Sequence, residues 1–282
     1  MPIPVVHTVA ELRNTLAQAR SAERTVGFVP TMGALHAGHA ELIRTADRLA
    51  TFVVVSVFVN PTQFGPKEDY GKYPRTLEQD ALLSKEAGAD LIFAPSAEEM
   101  YPPDSVTFVE VPGLDEVLCG PRRPGHFRGV CTVVLKLFNM VQPEIAVFGA
   151  KDAQQAIILL KMVKDLNVPV QMVIAPTVRE PDGLAMSSRN RYLSAEEREH
   201  APKIYAELQK IEARIKAGES DVGRLESALV AGLEVIPGAR VDYANVVESE
   251  NLKPIQRISG PVLVAVAVFM GTTRLIDNVM VG

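Results

Sequence analysis

The sequence predicts an α/β protein, a doubly wound parallel sheet followed by a smaller C-terminal α+β domain. Three observations carry that expectation. Strand-like and helix-like runs alternate through the first 175 residues, which is the rhythm of βαβ units. The run FVVVSVFV at 52–59 is β-branched or aromatic almost throughout and lacks polar alternation, so it belongs to a strand covered on both faces. Beyond Pro176 the order changes to helices and then three strand-like runs, the pattern of a separate α+β lobe.

Residues 25–29 (TVGFV) read as the first strand. A helix over 39–50 follows, with Leu42, Ile43, Ala46 and Leu49 on one face. After the 52–59 strand, 76–87 reads as a helix, because Thr76 and Gln79 have capping-box spacing and Gly88 can end it. Residues 90–94 (DLIFA) form the next strand, and 130–141 is apolar enough for a largely buried helix. A strand at 144–148, a helix at 153–166 and a strand at 170–175 complete a Rossmann-like series. A polar loop at 177–193 leads to Ser194 and Glu197, a second capping-box pair that opens a long charged helix to about Ala217. Residues 218–221 break it, and a second helix runs to about Val235. Strands then fall at 240–247, 262–269 and 275–279. The expected domains are 1–177 and 178–282.

Composition narrows the function classes. Apolar residues make up 47% and charged residues 22%, which argues against disorder, collagen and coiled coil. The net charge of −5 weighs against a general nucleic-acid binder, which carries a basic stripe. Cys119 and Cys131 lack CxxC or Cys/His ligand spacing and read as buried thiols in a reducing cytosol. The N-terminal stretch MPIPVVHTVAELRNTL lacks the charged and apolar regions of a secretory signal, and the longest apolar run is too short to span a bilayer. The expected location is cytoplasmic, with no membrane and no nucleic-acid partner.

Chemistry concentrates in loops at strand ends. PTMGALHAGH (30–39) joins the first strand to the first long helix, where open parallel sheets bind ligands. Gly33 and Gly38 permit a tight turn, unpaired helix-start N–H groups favour an anion, and His36 and His39 can face one ligand. FGAKDAQQ (148–155) follows another strand. Its Lys151 suits phosphate, Asp152 suits a ribose hydroxyl or a metal-bound water, and Gln155 suits a small polar substrate. NPTQFG (60–65) brings Asn60 and Gln63 to the mouth of the same cleft. MSSRNR (186–191) sets two hydroxyls beside Arg189, whose guanidinium forks onto phosphate oxygens. Neither a Walker GxxxxGK[ST] nor a GxGxxG fingerprint accompanies the HxGH loop.

An HxGH loop paired with a later [KM]SS-type loop resembles the HIGH/KMSKS nucleotidyltransferase superfamily. Within it the chain resembles the pantoate–β-alanine ligase family. The carrying segments are VPTMGALHAGH, VFVNPTQFGPKEDYGKYPRT, GHFRGV, VVLKLFNMVQPEIAVFGAKDAQQ, PTVREPDGLAMSSRNRYL and VAVFMGTTRLIDN, distributed over 29–278. The resemblance implies an ATP-dependent ligase that forms pantoyl adenylate and pyrophosphate from (R)-pantoate, then pantothenate and AMP by attack of β-alanine. It implies a nucleotide- and pantoate-binding domain at 1–177, a lid domain at 178–282 with 179–191 as the moving segment, Mg²⁺ accompanying ATP, and a homodimer.

Residue by residue, the resemblance assigns the ATP loop to Met32, Gly33, Ala34, Leu35, His36, Ala37, Gly38 and His39, with His39 as proton donor and His36 beside it on the phosphates. Gly149, Ala150, Lys151 and Asp152 match the nucleotide segment. Val178 matches a backbone contact to adenine. Met186, Ser187, Ser188 and Arg189 match the mobile phosphate-binding loop. Gln63 and Gln155 match the pantoate glutamines, with Asn60 beside them. His39, His36, Lys151 and Arg189 form the catalytic set. Two positions depart from the family pattern: Ala150 stands where Glu or Lys is common, and Ala153 where an aromatic is common. No protein ligand for Mg²⁺ is identified.

Three other readings fit these residues less well. A superfamily member with another acceptor is disfavoured by NPTQ and KDAQQ. A synthetase-like RNA binder is disfavoured by the acidic balance. A dehydrogenase is disfavoured by the missing GxGxxG.

Overall fold

Pairing of the apolar runs organises the first of two units. The structure is a computed structural model that describes residues 2–66, 68 and 70–282. Met1 in the N-terminal stretch and Lys67 and Asp69 in the second resemblance segment lie outside the described residues. Six strands form one sheet: β1 (Val5–Val6), β2 (Val26–Thr31), β3 (Phe52–Val57), β4 (Leu91–Phe93), β5 (Ile145–Gly149) and β6 (Gln171–Ala175). Their order is β1-β4-β3-β2-β5-β6, and every neighbouring pair is parallel. The chain therefore winds outward from β2 in both directions. The reversal between β2 and β5 is the switch point beyond which ligands bind, at the carboxyl ends of both strands.

The helices of this series are α1 (Val9–Ser21), α2 (Ala37–Leu49), α3 (Leu77–Glu86), α4 (Ala97–Met100), α5 (His126–Val141) and α6 (Ala153–Asp165). β3 is buried at all but its last position, as its unbroken apolar run requires. Phe138 of α5 sits edge-on to Phe28 of β2 at 6.4 Å and to Phe148 of β5 at 6.3 Å, so one aromatic joins the two strands flanking the switch point.

The second unit is an antiparallel meander of β7 (Ala239–Glu248), β8 (Val262–Met270) and β9 (Thr273–Val281). It carries α7 (Ala195–His200), α8 (Lys203–Lys216) and α9 (Val222–Glu234). Leu208 and Ile211 of α8, Leu225, Leu229 and Leu233 of α9, and Val264, Val266 and Val268 of β8 form its core.

Four features differ from the sequence reading. α1 and the edge strand β1 were not expected, although Thr8 and Glu11 make a complete capping box and Leu12, Leu16 and Ala19 supply a buried helical stripe. The Thr76 capping box does not form; its Oγ1 donates instead to Asp80 Oδ1 at 3.3 Å. The long charged helix is two, α7 and α8, interrupted at Ala201–Pro202 because proline supplies no N–H for the helical ladder. The units are Met1–Pro112, Arg123–Ala150 and Ile158–Pro176 for the first, and Gly113–Arg122, Lys151–Ile157 and Thr177–Gly282 for the second. Two early segments thus group with the later residues rather than with 1–177, and hydrogen bonds give the reason. The Gln154 amide binds Cys119 N at 3.0 Å, Leu114 O at 2.9 Å and Val117 O at 2.8 Å, Arg122 binds Asp242, and Asn278 binds Lys151 O.

Cys119 and Cys131 are both buried thiols. Among the described residues no helix is long and apolar enough to cross a membrane.

Candidate active site

In the first unit the chain leaves β2 through a turn held from below by one carboxylate. Thr31 Oγ1 donates to Ser56 O at 2.7 Å and accepts from Gly33 N at 3.1 Å. Gly33 has φ +79°, and a Cβ there would meet Val57 at 2.9 Å and Asp80 at 3.0 Å, so glycine is required twice over. Ala34 follows at φ 50°, strained for a residue with a side chain. Asp80, buried on α3, offsets that strain: it accepts from Ala34 N at 3.1 Å and from Leu35 N at 2.7 Å. Nothing in the sequence reading singled out Asp80.

The two histidines cap α2 reciprocally. His36 is the N-cap, and its Nδ1 accepts from Gly38 N at 3.1 Å. His39 Nδ1 accepts in turn from His36 N at 3.3 Å, and the rings lie 4.1 Å apart between centroids. Because both Nδ1 atoms accept, the proton of each neutral ring sits on Nε2. This corrects the expected set of unpaired amides at the helix start, since the rings themselves take two of the loop's N–H groups. Gly38 is corrected too: it lies inside α2, and the second left-handed position is Ala34.

Asn60 follows β3 and is buried with its polar atoms engaged inside the protein. Its Nδ2 donates to Gln63 Oε1 at 3.0 Å and to Gly129 O at 3.1 Å. Its Oδ1 accepts from Thr62 Oγ1 and from Tyr101 OH, both at 2.9 Å. Burial pushes the Tyr101 phenol above its ordinary value against a smaller opposing pull from Thr62, which keeps it a donor. Asn60 is thereby a bracket for Gln63 rather than a group presented to substrate. Gln63 Nε2 donates to Met32 Sδ at 3.0 Å, linking this loop to the HxGH turn. The bracket lies flat on α5: a Cβ at Gly129 would stand 2.4 Å from Thr62 O.

A further chain of contacts supports the same loop. His126 Nδ1 meets Gln63 O at 2.9 Å, and Arg123 Nη1 meets His126 Nε2 at 2.9 Å. The arginine must donate, so the ring proton is on Nδ1 and reaches the Gln63 carbonyl. Arg123 also forks onto Glu68 at 2.6 and 2.7 Å. Partial burial raises the Glu68 carboxyl, but Arg123 and the Gly65 amide more than offset it and hold it below its ordinary value. The sequence reading uses GHFRGV only for its resemblance and misses these roles of Arg123 and His126.

The second unit holds the other loops. After Gly149 the chain turns through Ala150–Asp152, and the Lys151 ammonium lies 4.0 Å from the Asp152 carboxylate. Gln154 is consumed by its structural bonds, whereas the half-buried Gln155 amide makes no protein hydrogen bond among the described residues. Val178 and Met186 close a small hairpin, Met186 N donating to Val178 O at 3.0 Å, with Gly183 in its turn at φ +96°. Ser187 Oγ accepts from Arg189 N at 3.2 Å and caps a single helical turn, Ser188–Tyr192. Arg198 ties the hairpin to α7 through Asp182 and Glu180, each at 2.6 Å. The Arg198 hydrogen bond, opposed by slight burial, draws the Asp182 carboxyl below its ordinary value. The expected moving segment, 179–191, is thus tied to α7 of its own unit.

A doubly wound sheet with a double-histidine turn at its switch point, and a Ser-Ser-Arg turn in a separate α+β unit, defines an α/β enzyme with loops built for a polar ligand. The comparisons with known proteins narrow that class. The family model described as pantoate-beta-alanine ligase matches residues 4–280. A pantothenate synthetase of Moorella thermoacetica is 51% identical over 276 residues, covering 98% of each chain. The crystal structure of pantothenate synthetase from Thermus thermophilus matches with a TM-score of 0.92 at 49% identity, covering 98% of this chain and 99% of that one. The pantoate-beta-alanine ligase from Francisella tularensis, solved in complex with beta-gamma ATP and β-alanine, matches at 33% identity with a TM-score of 0.77, covering 99% of this chain and 97% of that one. The chain belongs to the pantoate–β-alanine ligase family.

Proposed function

We propose that the chain joins (R)-pantoate to β-alanine at the expense of ATP, releasing AMP and pyrophosphate, by way of pantoyl adenylate. A carboxylate oxygen of pantoate attacks the α-phosphorus, and the bond to pyrophosphate breaks. The β-alanine amine then attacks the acyl carbon, loses a proton, and AMP leaves. The observation that carries this reading is the reciprocal capping of His36 and His39 at the switch point. It commits both Nδ1 atoms to the backbone and makes each Nε2–H a donor of fixed orientation, suited to phosphate oxygens that gain charge in the displacement.

The remaining roles follow from residue chemistry and family membership. His39 donates to the phosphate chain, with His36 beside it. Met32, Gly33, Ala34, Leu35, Ala37 and Gly38 shape the ATP loop. Lys151 supplies a point charge and Arg189 a forked donor to the departing pyrophosphate. Gly149, Ala150, Asp152, Met186, Ser187 and Ser188 complete the nucleotide contacts, and Val178 contributes backbone to adenine. Gln63 and Gln155 bind pantoate, with Asn60 as the bracket that orients Gln63. Ala150 leaves the nucleotide segment its main chain.

Mg²⁺ is proposed to enter with ATP. Among the described residues no group of three or more His, Cys, Asp or Glu could hold a metal ion; the exposed Asp152 carboxylate is the candidate to hold a metal-bound water, with phosphate oxygens as the other ligands. When bound, the ion neutralises phosphate charge.

The proposed division of labour places nucleotide and pantoate binding in 1–177 and a lid in 178–282. With the 178–186 hairpin tied to α7, closure carries residues 179–191 as part of a block and shields the adenylate from water. ATP plus pantoate then slows amide exchange across 179–191; unchanged exchange there removes the lid. A homodimer is proposed from the family resemblance and a cytoplasmic location from the reading of the sequence; light scattering measures the dimer. Product analysis tests the overall reaction: AMP and pantothenate form in equal amounts only when ATP, pantoate and β-alanine are all present.

A further inference from the structure

The proposed function assigns no role to any residue of the C-terminal segment VAVFMGTTRLIDN. Its last residues, Asp277 and Asn278, are consecutive on β9 and hold two different loops of the second unit. Asp277 is 6% exposed and accepts both arms of the Arg179 guanidinium, at 2.6 and 2.9 Å. Arg179 also donates to Gly183 O at 3.1 Å and lies 3.4 Å over the Tyr205 ring. Every contact fixes the hairpin that ends at Met186. Asn278 Nδ2 donates to Lys151 O at 2.9 Å, and Asn278 N donates to Asp277 Oδ1 at 2.8 Å. β9 is itself paired with β8 in continuous register, Asp277 with Val266 and Asn278 with Ala265.

A buried ion pair is a weak source of stability, and its best-attested use is to fix geometry. Here it fixes the hairpin to the same stiff strand that holds the Lys151 backbone. We propose that Asp277 and Asn278 are positioning residues: together they set the spacing between Lys151 and the Met186–Arg189 turn, and so align the two cationic groups along the triphosphate of ATP. This rests on the assignment of Lys151 and Arg189 to the phosphates.

The test compares Asn278→Asp, Asn278→Ser and Lys151→Ala in the full chain by steady-state kinetics and thermal melting. Asn278→Asp keeps the side chain's size but turns an acceptor toward the Lys151 carbonyl. It lowers the kcat of pantoate-dependent AMP formation by between about tenfold and a hundredfold. KM for pantoate and for β-alanine stays within about twofold, because neither is held through Lys151 in this reading. Asn278→Ser keeps a donor and recovers part of the loss. Should Asn278→Asp fail to fold, Asn278→Ser decides through the same split between kcat and KM. Parental turnover in both Asn278 variants overturns the clamp, as does a parallel shift of every KM together with the melting temperature. Parental turnover in Lys151→Ala instead overturns the phosphate-binding assignment. A crippled Lys151→Ala beside a normal Asn278→Asp sinks the clamp alone.

Discussion

The HxGH turn and the Ser-Ser-Arg hairpin are both proposed to bind phosphate, yet they are held by different means. The first is held by groups of short reach: the buried Asp80 under Ala34 and Leu35, the half-buried imidazoles of His36 and His39 on backbone N–H groups of the turn, and the buried Asn60 under Gln63. The second is held largely by arginine ion pairs, Arg179 with Asp277 and Arg198 with Asp182 and Glu180, of which the Arg198 pair is substantially exposed. Buried contacts, the Arg179–Asp277 pair among them, resist salt, whereas the more exposed Arg198 tether is screened. The contrast fits the proposal of a preformed HxGH loop and a hairpin that belongs to a lid.

The largest expected effect lies at the fixed loop. His39→Ala removes a donor and a cap together, so pantoate-dependent AMP formation falls by about 10²–10⁴-fold while unfolding free energy falls by only about 1 kcal/mol. Near-parental turnover would strip His39 of its role. Asp80→Ala comes next: it orphans two amides in a buried turn and costs about 3 kcal/mol of stability, read from urea unfolding. A loss under about 0.5 kcal/mol would mean the frame is not what holds the turn.

Glu68 supplies the pH arm of the comparison. Its native pKa lies below the unfolded value, so its contribution is fully present above about pH 4.3 and is lost as pH falls through the lowered native value. Glu68→Gln removes that part of the acid slope, and an unaltered slope in urea titrations would place the acid sensitivity elsewhere. The smallest effect belongs to the exposed tether. Arg198→Ala costs at most about 1 kcal/mol, and the difference from parent shrinks as salt is added. A larger, salt-independent loss would abolish the contrast between the two loops.

How much of this was legible in one sequence depended on reach. The covered strand at 52–59, the three C-terminal strands and the HxGH turn announce themselves through neighbouring residues. The Thr8–Glu11 capping box and the Leu12, Leu16 and Ala19 stripe of α1 are equally local. Asp80 was not legible, because its partners lie 45 and 46 positions away and nothing near it in sequence marks it. Gln154 and Gln155 look alike in sequence, and only the fold shows that the first is spent on the 114–119 loop. Thr76 had the right spacing for a cap, but a buried carboxylate one turn away took its hydroxyl. Asn60 reads from sequence as a residue at the mouth of the cleft, whereas its role as a bracket depends on Tyr101 and Gly129, far along the chain.

The central claim is that a preformed double-histidine turn promotes attack of pantoate on ATP before β-alanine takes part. Exchange of isotope between pyrophosphate and ATP, measured with β-alanine left out, tests it most directly. The account predicts exchange that requires pantoate and collapses in His39→Ala. Absence of exchange, together with no AMP formed in a single turnover once β-alanine is added, would contradict it.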